Sequence, residues 1–194
     1  IEVVTATLCH SSVFDIDSEQ NARDVMALAD DLGIGARLFM GHSNGGAVSI
    51  IAGALDPQAV AVLGLDPVDA RGEPGAEFVE QVSVPAYALM GEPSSCNSSA
   101  AGVSLFQAGT GNRILRVTES DHCDFESPSD WVCTTACNGS NQVFDDETLQ
   151  AAIRGLSTAF AAWMLGQDAT GENWWQEGGD LFDQLSSAGA ISTL

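Results

Sequence analysis

Positions 41–45, Gly-His-Ser-Asn-Gly, match the G-x-S-x-G pattern that presents a serine nucleophile on a sharp turn. An apolar run precedes them and an apolar run of helical length follows, so we predict a strand, a turn and a helix. Glycine at 41 and at 45 is expected because a side chain there would meet the neighbouring strand or helix. We therefore predict that Ser43 is a nucleophile and that the backbone N–H of Asn44, at the positive end of the helix, donates to an oxyanion.

A serine hydroxyl attacks only when a base removes its proton, and the chain has three histidines. His42 lies inside the turn and is expected to point elsewhere, while His10 lies on an early loop. His122 follows the strand predicted at 113–118, on the edge where the loops of a parallel sheet gather. The chain order serine, acid, histidine also favours His122 as the base.

Three carboxylates compete for the role of the acid that orients this base. Asp66 stands at the tip of the buried strand 59–65 and is the first choice. Asp69 and Glu92 are the alternatives, and many such enzymes carry their acid after the next strand, where this chain has Ser95. Asp66 also has a purely structural interpretation, as a residue that begins a turn before a proline.

Asp121 and Asp124 flank His122, which is also typical of a surface histidine. The three side chains have the donor types of a metal site as well. The nucleophile pattern in the same chain favours the catalytic interpretation, so we expect neither a metal nor a cofactor.

Four of the five cysteines fall between residues 96 and 137, in a loop-rich stretch. This clustering predicts disulfides and an oxidising compartment, and hence a secreted, extracellular or periplasmic protein. Zinc is the alternative: Cys133 and Cys137 have a plausible ligand spacing, but no second close pair of cysteines or histidines accompanies them. We predict two bridges with Cys9 unpaired, and the sequence leaves their connectivity open.

The charge is strongly negative, with 27 acidic and 6 basic residues and a net charge of −21. Such a surface repels nucleic acid and anionic membranes, so neither is expected as a partner. No apolar run approaches the roughly 20 residues that span a bilayer. The charge fits an ordinary acidic secreted protein, and it would also suit high salt, which screens the self-repulsion.

Apolar runs typical of buried strands alternate along the chain with segments of helical periodicity. This pattern predicts an α/β fold with a mostly parallel sheet covered by helices. Helices are predicted from an N-cap at Ser18 to Leu32, after a cap at Asp145 or Asp146, and in the tail, with a loop over 127–144. No internal repeat or linker is visible, so we expect residues 1–194 to form one domain. The predicted strands are 3–8, 36–40, 59–65, 84–90 and 113–118, the last of these being the final strand.

Three segments, "GHSNGG", "LGLDPVDA" and "SDHCDFESPSDWVC", resemble secreted bacterial α/β-hydrolases of the group around chlorophyllases, platelet-activating-factor acetylhydrolases and cutinase-like polyester hydrolases. The resemblance covers nearly the whole chain and implies the α/β-hydrolase fold and carboxylic ester hydrolysis through an acyl-enzyme. By this resemblance Ser43 is the nucleophile, His122 the base and then the acid, and Asp66 the residue that orients His122. In some members the acid follows the strand after the nucleophile helix, which matches Asp66.

The resemblance departs at the N-terminus, where members of this group carry about three more strands and a helix before the point that corresponds to residue 1. The loop that supplies their second oxyanion donor lies in that part. We therefore expect a reduced fold of about five strands, either minimal or truncated at the N-terminus. His10 and Ser11, in the loop after the first predicted strand, are the candidates for the second donor.

The leading hypothesis is a serine esterase that acts on neutral, short-chain or bulky esters, either small molecules or polymers. The negative field disfavours anionic substrates. The alternatives are a non-catalytic binding domain that keeps the fold, and a thioesterase or peptidase that uses the same triad.

Overall fold

The computed structural model describes residues 1–12, 15–69, 74–109, 111–127, 133, 135, 137 and 143–194. Two short strands, Ser11–Ser12 (β1) and Asp15–Ile16 (β2), pair antiparallel with each other. The main sheet consists of Arg37–His42 (β3), Ala59–Leu65 (β4), Ala86–Met90 (β5), Arg113–Val117 (β6) and Ile191–Thr193 (β7). The spatial order is β3-β4-β5-β6-β7, with β3 to β6 parallel and β7 antiparallel to β6.

The parallel strands are joined by helical crossovers, since strands that run in the same direction need a connection across the sheet. The helices are Ser18–Asp31 (α1), Asn44–Leu55 (α2), Pro74–Phe78 (α3), Gly102–Gln107 (α4), Asp146–Met164 (α5) and Asp180–Ser187 (α6). Short 3₁₀ segments follow at Val79–Gln81, His122–Phe125 and Ala169–Trp174. None of the helices among the described residues is both long and apolar enough to cross a bilayer.

The core lies on both faces of the sheet, because successive side chains of a strand point to opposite sides. In β4, Val62 packs with residues of α2 and α4, while Leu63 packs with residues of α5. Both side chains are fully buried. The strands are continuously apolar because both faces of the mostly parallel sheet are covered, and this prediction is confirmed.

The strand predicted at 3–8 does not form, and that prediction was wrong. Residues 1–8 have no regular secondary structure, and Val3 is 80% exposed. In the described sheet β3 is an edge strand that pairs with β4, and residues 1–8 pair with no strand. β-branched residues favour a strand only where a neighbour takes up their backbone hydrogen bonds.

The fifth strand of the sheet is instead β7, so the strand at 113–117 is not the final one. Three residues are too few to produce a readable alternation, and the antiparallel pairing of β7 with β6 is a tertiary effect. Helix α4 was not predicted either. The helix in the tail is confirmed as α6.

The predicted N-cap of α1 was wrong by one residue, whereas the N-cap of α5 is one of the two residues predicted. Asp17, and not Ser18, caps α1, because its Oδ1 accepts a hydrogen bond from the backbone N–H of Gln20 at 2.9 Å. Asp145 caps α5 in the same way, through Thr148 at 2.8 Å, as one of the two predicted choices. Most of the loop predicted over 127–144 lies outside the described residues.

Candidate active site

Ser43 lies on a sharp turn between β3, which ends at His42, and α2, which begins at Asn44. Its backbone has φ 55° and ψ −128°, a conformation that a non-glycine residue rarely adopts. The Ser43 N–H donates to the carbonyl of Leu65 at 3.0 Å, and the Ser43 carbonyl accepts from Val68 at 3.0 Å. The surrounding hydrogen bonds therefore hold the strained residue in place, as is typical of functional turns.

Close contacts explain two of the glycines in this turn, Gly41 and Gly46, of which only Gly41 was predicted. A Cβ on Gly41 would lie 2.0 Å from the carbonyl oxygen of Gly45, so only glycine fits there. A Cβ on Gly45 would meet nothing within 4 Å, and the expectation of a clash at that position was wrong. The second crowded position is Gly46, where a Cβ would lie 2.4 Å from the Cβ of Pro67.

His122 and Asp66 form a buried hydrogen-bonded pair. The Nδ1–H of His122 donates to Oδ2 of Asp66 at 2.6 Å. Asp66 is 0% exposed and His122 is 7% exposed, so His122 is not a surface histidine. A bond of this length between an imidazole and a carboxylate is typical of a charge-assisted interaction, and it fixes which ring nitrogen faces the acid.

Two further donors hold the Asp66 carboxylate. The backbone N–H of Gly91 donates to Oδ1 at 2.9 Å, and the Nδ2 amide of Asn97 lies 3.2 Å from each carboxylate oxygen. Hydrogen bonds to an ionised carboxylate stabilise its charge. Asn97 was not predicted, although it lies in the turn after β5, where the acid of such enzymes is often found.

His42 packs against His122, a contact that the sequence did not predict. The two ring centroids are 4.4 Å apart, and Nε2 of His42 donates to the backbone carbonyl of His122 at 2.9 Å. Burial, with a smaller contribution from the charge of His122, lowers the pKa of His42 to about 4. The side chain is therefore neutral at physiological pH and supports the backbone of His122.

The turn that carries His122 is capped on both sides by carboxylates. Asp121 accepts a hydrogen bond from the backbone N–H of Cys123 at 2.7 Å, and Asp124 accepts one from the backbone N–H of Asp121 at 2.8 Å. Both are buried, and burial raises the pKa of Asp124 to about 6. These two residues, considered above as metal ligands, thus bind the backbone and shape the turn.

Two disulfides are present, Cys96–Cys137 and Cys123–Cys133, and Cys9 is free and exposed. The predicted number of bridges and the unpaired cysteine are confirmed. The potential metal ligands that cluster among the described residues are the sulfurs of Cys123, Cys133 and Cys137, all of them in disulfides. One bridge begins next to Asn97 and the other next to His122.

The alternative acids have other contacts. Asp69 accepts hydrogen bonds from the backbone N–H groups of Gly75 and Ala76, each at 3.0 Å, in the first turn of α3. Glu92 accepts a hydrogen bond from the backbone N–H of Glu119 at 3.2 Å. Asp66 is the carboxylate at the Nδ1 atom of His122.

The candidate oxyanion donors differ in whether their backbone N–H groups are already hydrogen-bonded within the fold. Asn44 is the first residue of α2, so its backbone N–H has no partner one turn earlier in the helix. Its side-chain amide bonds Ser18 Oγ at 3.1 Å, which ties the start of α2 to α1. The His10 backbone N–H donates to Oδ1 of the buried Asn21 at 3.2 Å. That N–H is therefore engaged within the fold, and the choice between His10 and Ser11 as second donor stays a prediction.

Ser43, Asp66 and His122 follow β3, β4 and β6, whose carboxyl ends lie at one edge of the sheet. The hydroxyl of Ser43 makes no hydrogen bond with His122 in this structure, whereas the His122–Asp66 bond is formed. Hydrogen bonds between a serine nucleophile and its base often form or tighten only in the complex with substrate.

These features together define the class of fold. A mostly parallel sheet carries a strained serine between a strand and a helix, and an acid and a histidine on later strand-end loops. This is the α/β-hydrolase fold in a reduced form, with five strands in the main sheet of the described residues.

No family model matches the chain, and no curated protein resembles it in sequence. The solved structure of Est1E from Butyrivibrio proteoclasticus with bound ferulic acid is similar at a TM-score of 0.47 and 14% identity, over 72% of this chain and 67% of that chain.

Proposed function

We propose that this chain is a serine carboxylic ester hydrolase that works through an acyl-enzyme, with Ser43 as nucleophile, His122 as base and Asp66 as the orienting acid. The observation that carries the proposal is the 2.6 Å bond from the Nδ1 atom of His122 to the buried Asp66. Burying a histidine and a carboxylate together costs stability, and neutral residues would fill the same space at less cost. A catalytic role beside the strained serine therefore explains this pair better than a structural role does.

The hydrogen bond to Asp66 keeps the proton of His122 on Nδ1 and leaves Nε2 as the atom that accepts the proton of Ser43. The serine oxygen then attacks the ester carbonyl, and the backbone N–H of Asn44 donates to the oxygen that becomes negative. His122 returns the proton to the leaving alcohol as the ester bond breaks. Water, activated by the same imidazole, then releases the carboxylic acid and restores Ser43.

The charge of the chain supports neutral substrates. A net charge of −21 disfavours the approach of anionic esters and favours departure of a carboxylate product. Short-chain or bulky esters, small or polymeric, are the proposed substrates, with no cofactor. Two disulfides support an oxidising location, and we propose that the protein is secreted, extracellular or periplasmic.

The proposal is tested by hydrolysis of p-nitrophenyl esters of increasing acyl length, with the wild type, Ser43→Ala and Asp66→Asn. We expect Ser43→Ala to reduce kcat about 10⁶-fold, and Asp66→Asn to reduce it about 10⁴-fold because the imidazole loses its orientation and tautomer. Ser104→Ala, which removes an exposed hydroxyl on α4, is the matched control and keeps full activity.

A fluorophosphonate probe separates the proposed enzyme from a non-catalytic domain. Covalent labelling that Ser43→Ala abolishes supports the enzyme, whereas folded wild type that neither turns over esters nor takes up the label is a binding domain. Labelling combined with turnover of thioesters or peptides, but not of oxygen esters, would keep the triad and replace the substrate class.

A further inference from the structure

Asn97 is fully buried, and every polar atom of its side chain has a partner. Its Oδ1 accepts hydrogen bonds from the backbone N–H groups of Ser94 at 2.8 Å and Ala100 at 2.9 Å. Its Nδ2 donates to the carbonyl of Glu92 at 2.9 Å and lies 3.2 Å from both oxygens of Asp66. Two backbone donors on one atom fix the orientation of the amide, so the Nδ2 group faces Asp66.

The side chain thus has two separable functions. Through Oδ1 it closes the turn that follows β5, which is a structural role. Through Nδ2 it contacts a carboxylate that is bonded to His122 and does not belong to the same turn. The contact with Asp66 does not stabilise the turn, which Nδ2 supports separately through its bond to the Glu92 carbonyl.

The backbone of Asp66 is held by the sheet, but it does not fix the rotation of the side-chain carboxylate. Its φ of 40° is uncommon for a residue other than glycine, and Asp66 follows directly after the end of β4. The Gly91 N–H bonds only Oδ1, so this contact alone does not fix the rotation of the carboxylate. Asn97, close to both oxygens, opposes that rotation and keeps Oδ2 at the Nδ1 atom of His122.

We propose that Asn97 is a positioning residue, which holds the Asp66 carboxylate in the orientation that bonds His122 and thereby sets the activity of the base. The kinetic part of this inference rests on the proposed hydrolase function; the effect on the Asp66–His122 bond does not.

Asn97→Asp separates the two roles, because the new side chain has nearly the same shape. One oxygen still accepts from Ser94 and Ala100, so the turn is kept. The other oxygen replaces the amide donor and faces both Asp66 and the Glu92 carbonyl at short distance. Two carboxylates in contact repel each other unless they share a proton, so the hold on Asp66 is lost as pH rises.

We expect Asn97→Asp to reduce kcat about 10- to 100-fold at pH 8 with little change in KM, since the base is misplaced and substrate contacts remain. The loss becomes smaller toward pH 6, where a shared proton restores a donor. The low-field proton NMR resonance of His122 Nδ1–H, which reports the bond to Asp66, shifts or broadens beyond detection in the variant. Ser98→Asp adds the same charge at the next, exposed position and changes none of these readouts.

The outcomes are distinguishable from those of the proposed function. If the resonance and the pH profile of kcat are those of the wild type in Asn97→Asp, Asn97 has only its structural role and the inference is overturned. If the wild type hydrolyses no ester but the resonance still depends on Asn97, the hydrolase proposal fails and the positioning of Asp66 stands. Should Asn97→Asp not fold, the side-chain amide resonances of Asn97 in Asp66→Asn provide the test: unshifted resonances would overturn the inference.

Discussion

Removal of the Cys96–Cys137 disulfide is expected to cost more stability than removal of Cys123–Cys133. The first bridge joins residues 41 positions apart and the second joins residues 10 positions apart. In the chain-entropy model these loops correspond to about 4 and about 3 kcal/mol of the free energy of unfolding, because a longer closed loop restricts the unfolded chain more. Since the dependence is logarithmic, the expected difference is only about 1 kcal/mol.

The assay is urea unfolding of two double variants, Cys96→Ser with Cys137→Ser, and Cys123→Ser with Cys133→Ser, against the wild type in the absence of reductant. Free energies are obtained by linear extrapolation, and the slopes are compared because loss of a bridge also expands the unfolded state. Cys9→Ser is the control, since this cysteine is free and exposed, and we expect a change below about 0.5 kcal/mol.

Two results would refute this reasoning. One is a larger loss from the Cys123–Cys133 pair, which would mean that contacts near His122, and not loop length, dominate. The other is no loss from either pair at unchanged slope, which would mean that the bridges do not restrict the unfolded chain.

Two more predictions concern the serine turn. Gly41→Ala is expected to destabilise the fold by about 3 kcal/mol or more in urea unfolding, because the new Cβ would lie 2.0 Å from the Gly45 carbonyl oxygen. Gly45→Ala, which meets nothing within 4 Å, should change stability by less than about 1 kcal/mol, and equal effects of the two changes would contradict the contact argument. The pKa of His42 is 6.5 in the unfolded chain and about 4 in the fold, so between these values the unfolded chain binds more protons. The free energy of unfolding therefore falls as pH drops from 6.5 to 4, and His42 accounts for at most about 3 kcal/mol of this fall. His42→Gln should therefore flatten the pH dependence of Tm between pH 6.5 and 4, and an equally steep profile would show that the pKa of His42 is not depressed.

The sequence predicted the central strands and the disulfide count because those features leave local signals. The apolar run at 59–65 became β4 with the same bounds, since burial on both faces leaves no polar position in the strand. Asp66 was identified by its place directly after that run. His122 was selected by its place past the strand predicted at 113–118, on the edge where the loops of a parallel sheet gather, and by the chain order serine, acid, histidine.

Features set by tertiary pairing were missed. Residues 3–8 have strand composition but no neighbour in the described sheet, and residues 191–193 have a neighbour but too short a pattern. Asn97 and His42 were overlooked for a related reason. Asn97 belongs to no motif, and His42 occupies a variable position of the serine motif; each acquires its role from a residue distant in the chain, Asp66 in one case and His122 in the other.

The hydrogen bond from the Ser43 N–H to the carbonyl of Leu65 joins the backbones of the proposed nucleophile and acid almost directly, since Asp66 is the next residue. The Asp66 N–H in turn donates to Leu89 at 2.7 Å, so both residues are fastened to the ladder of the sheet. His122 lies instead on a short turn past β6, where its backbone carbonyl accepts a hydrogen bond from Nε2 of His42 at 2.9 Å. The sheet ladder therefore fixes the backbones of two parts of the proposed catalytic machinery, whereas side-chain contacts fix the third, so a substitution near His122 can change its alignment without disturbing the sheet.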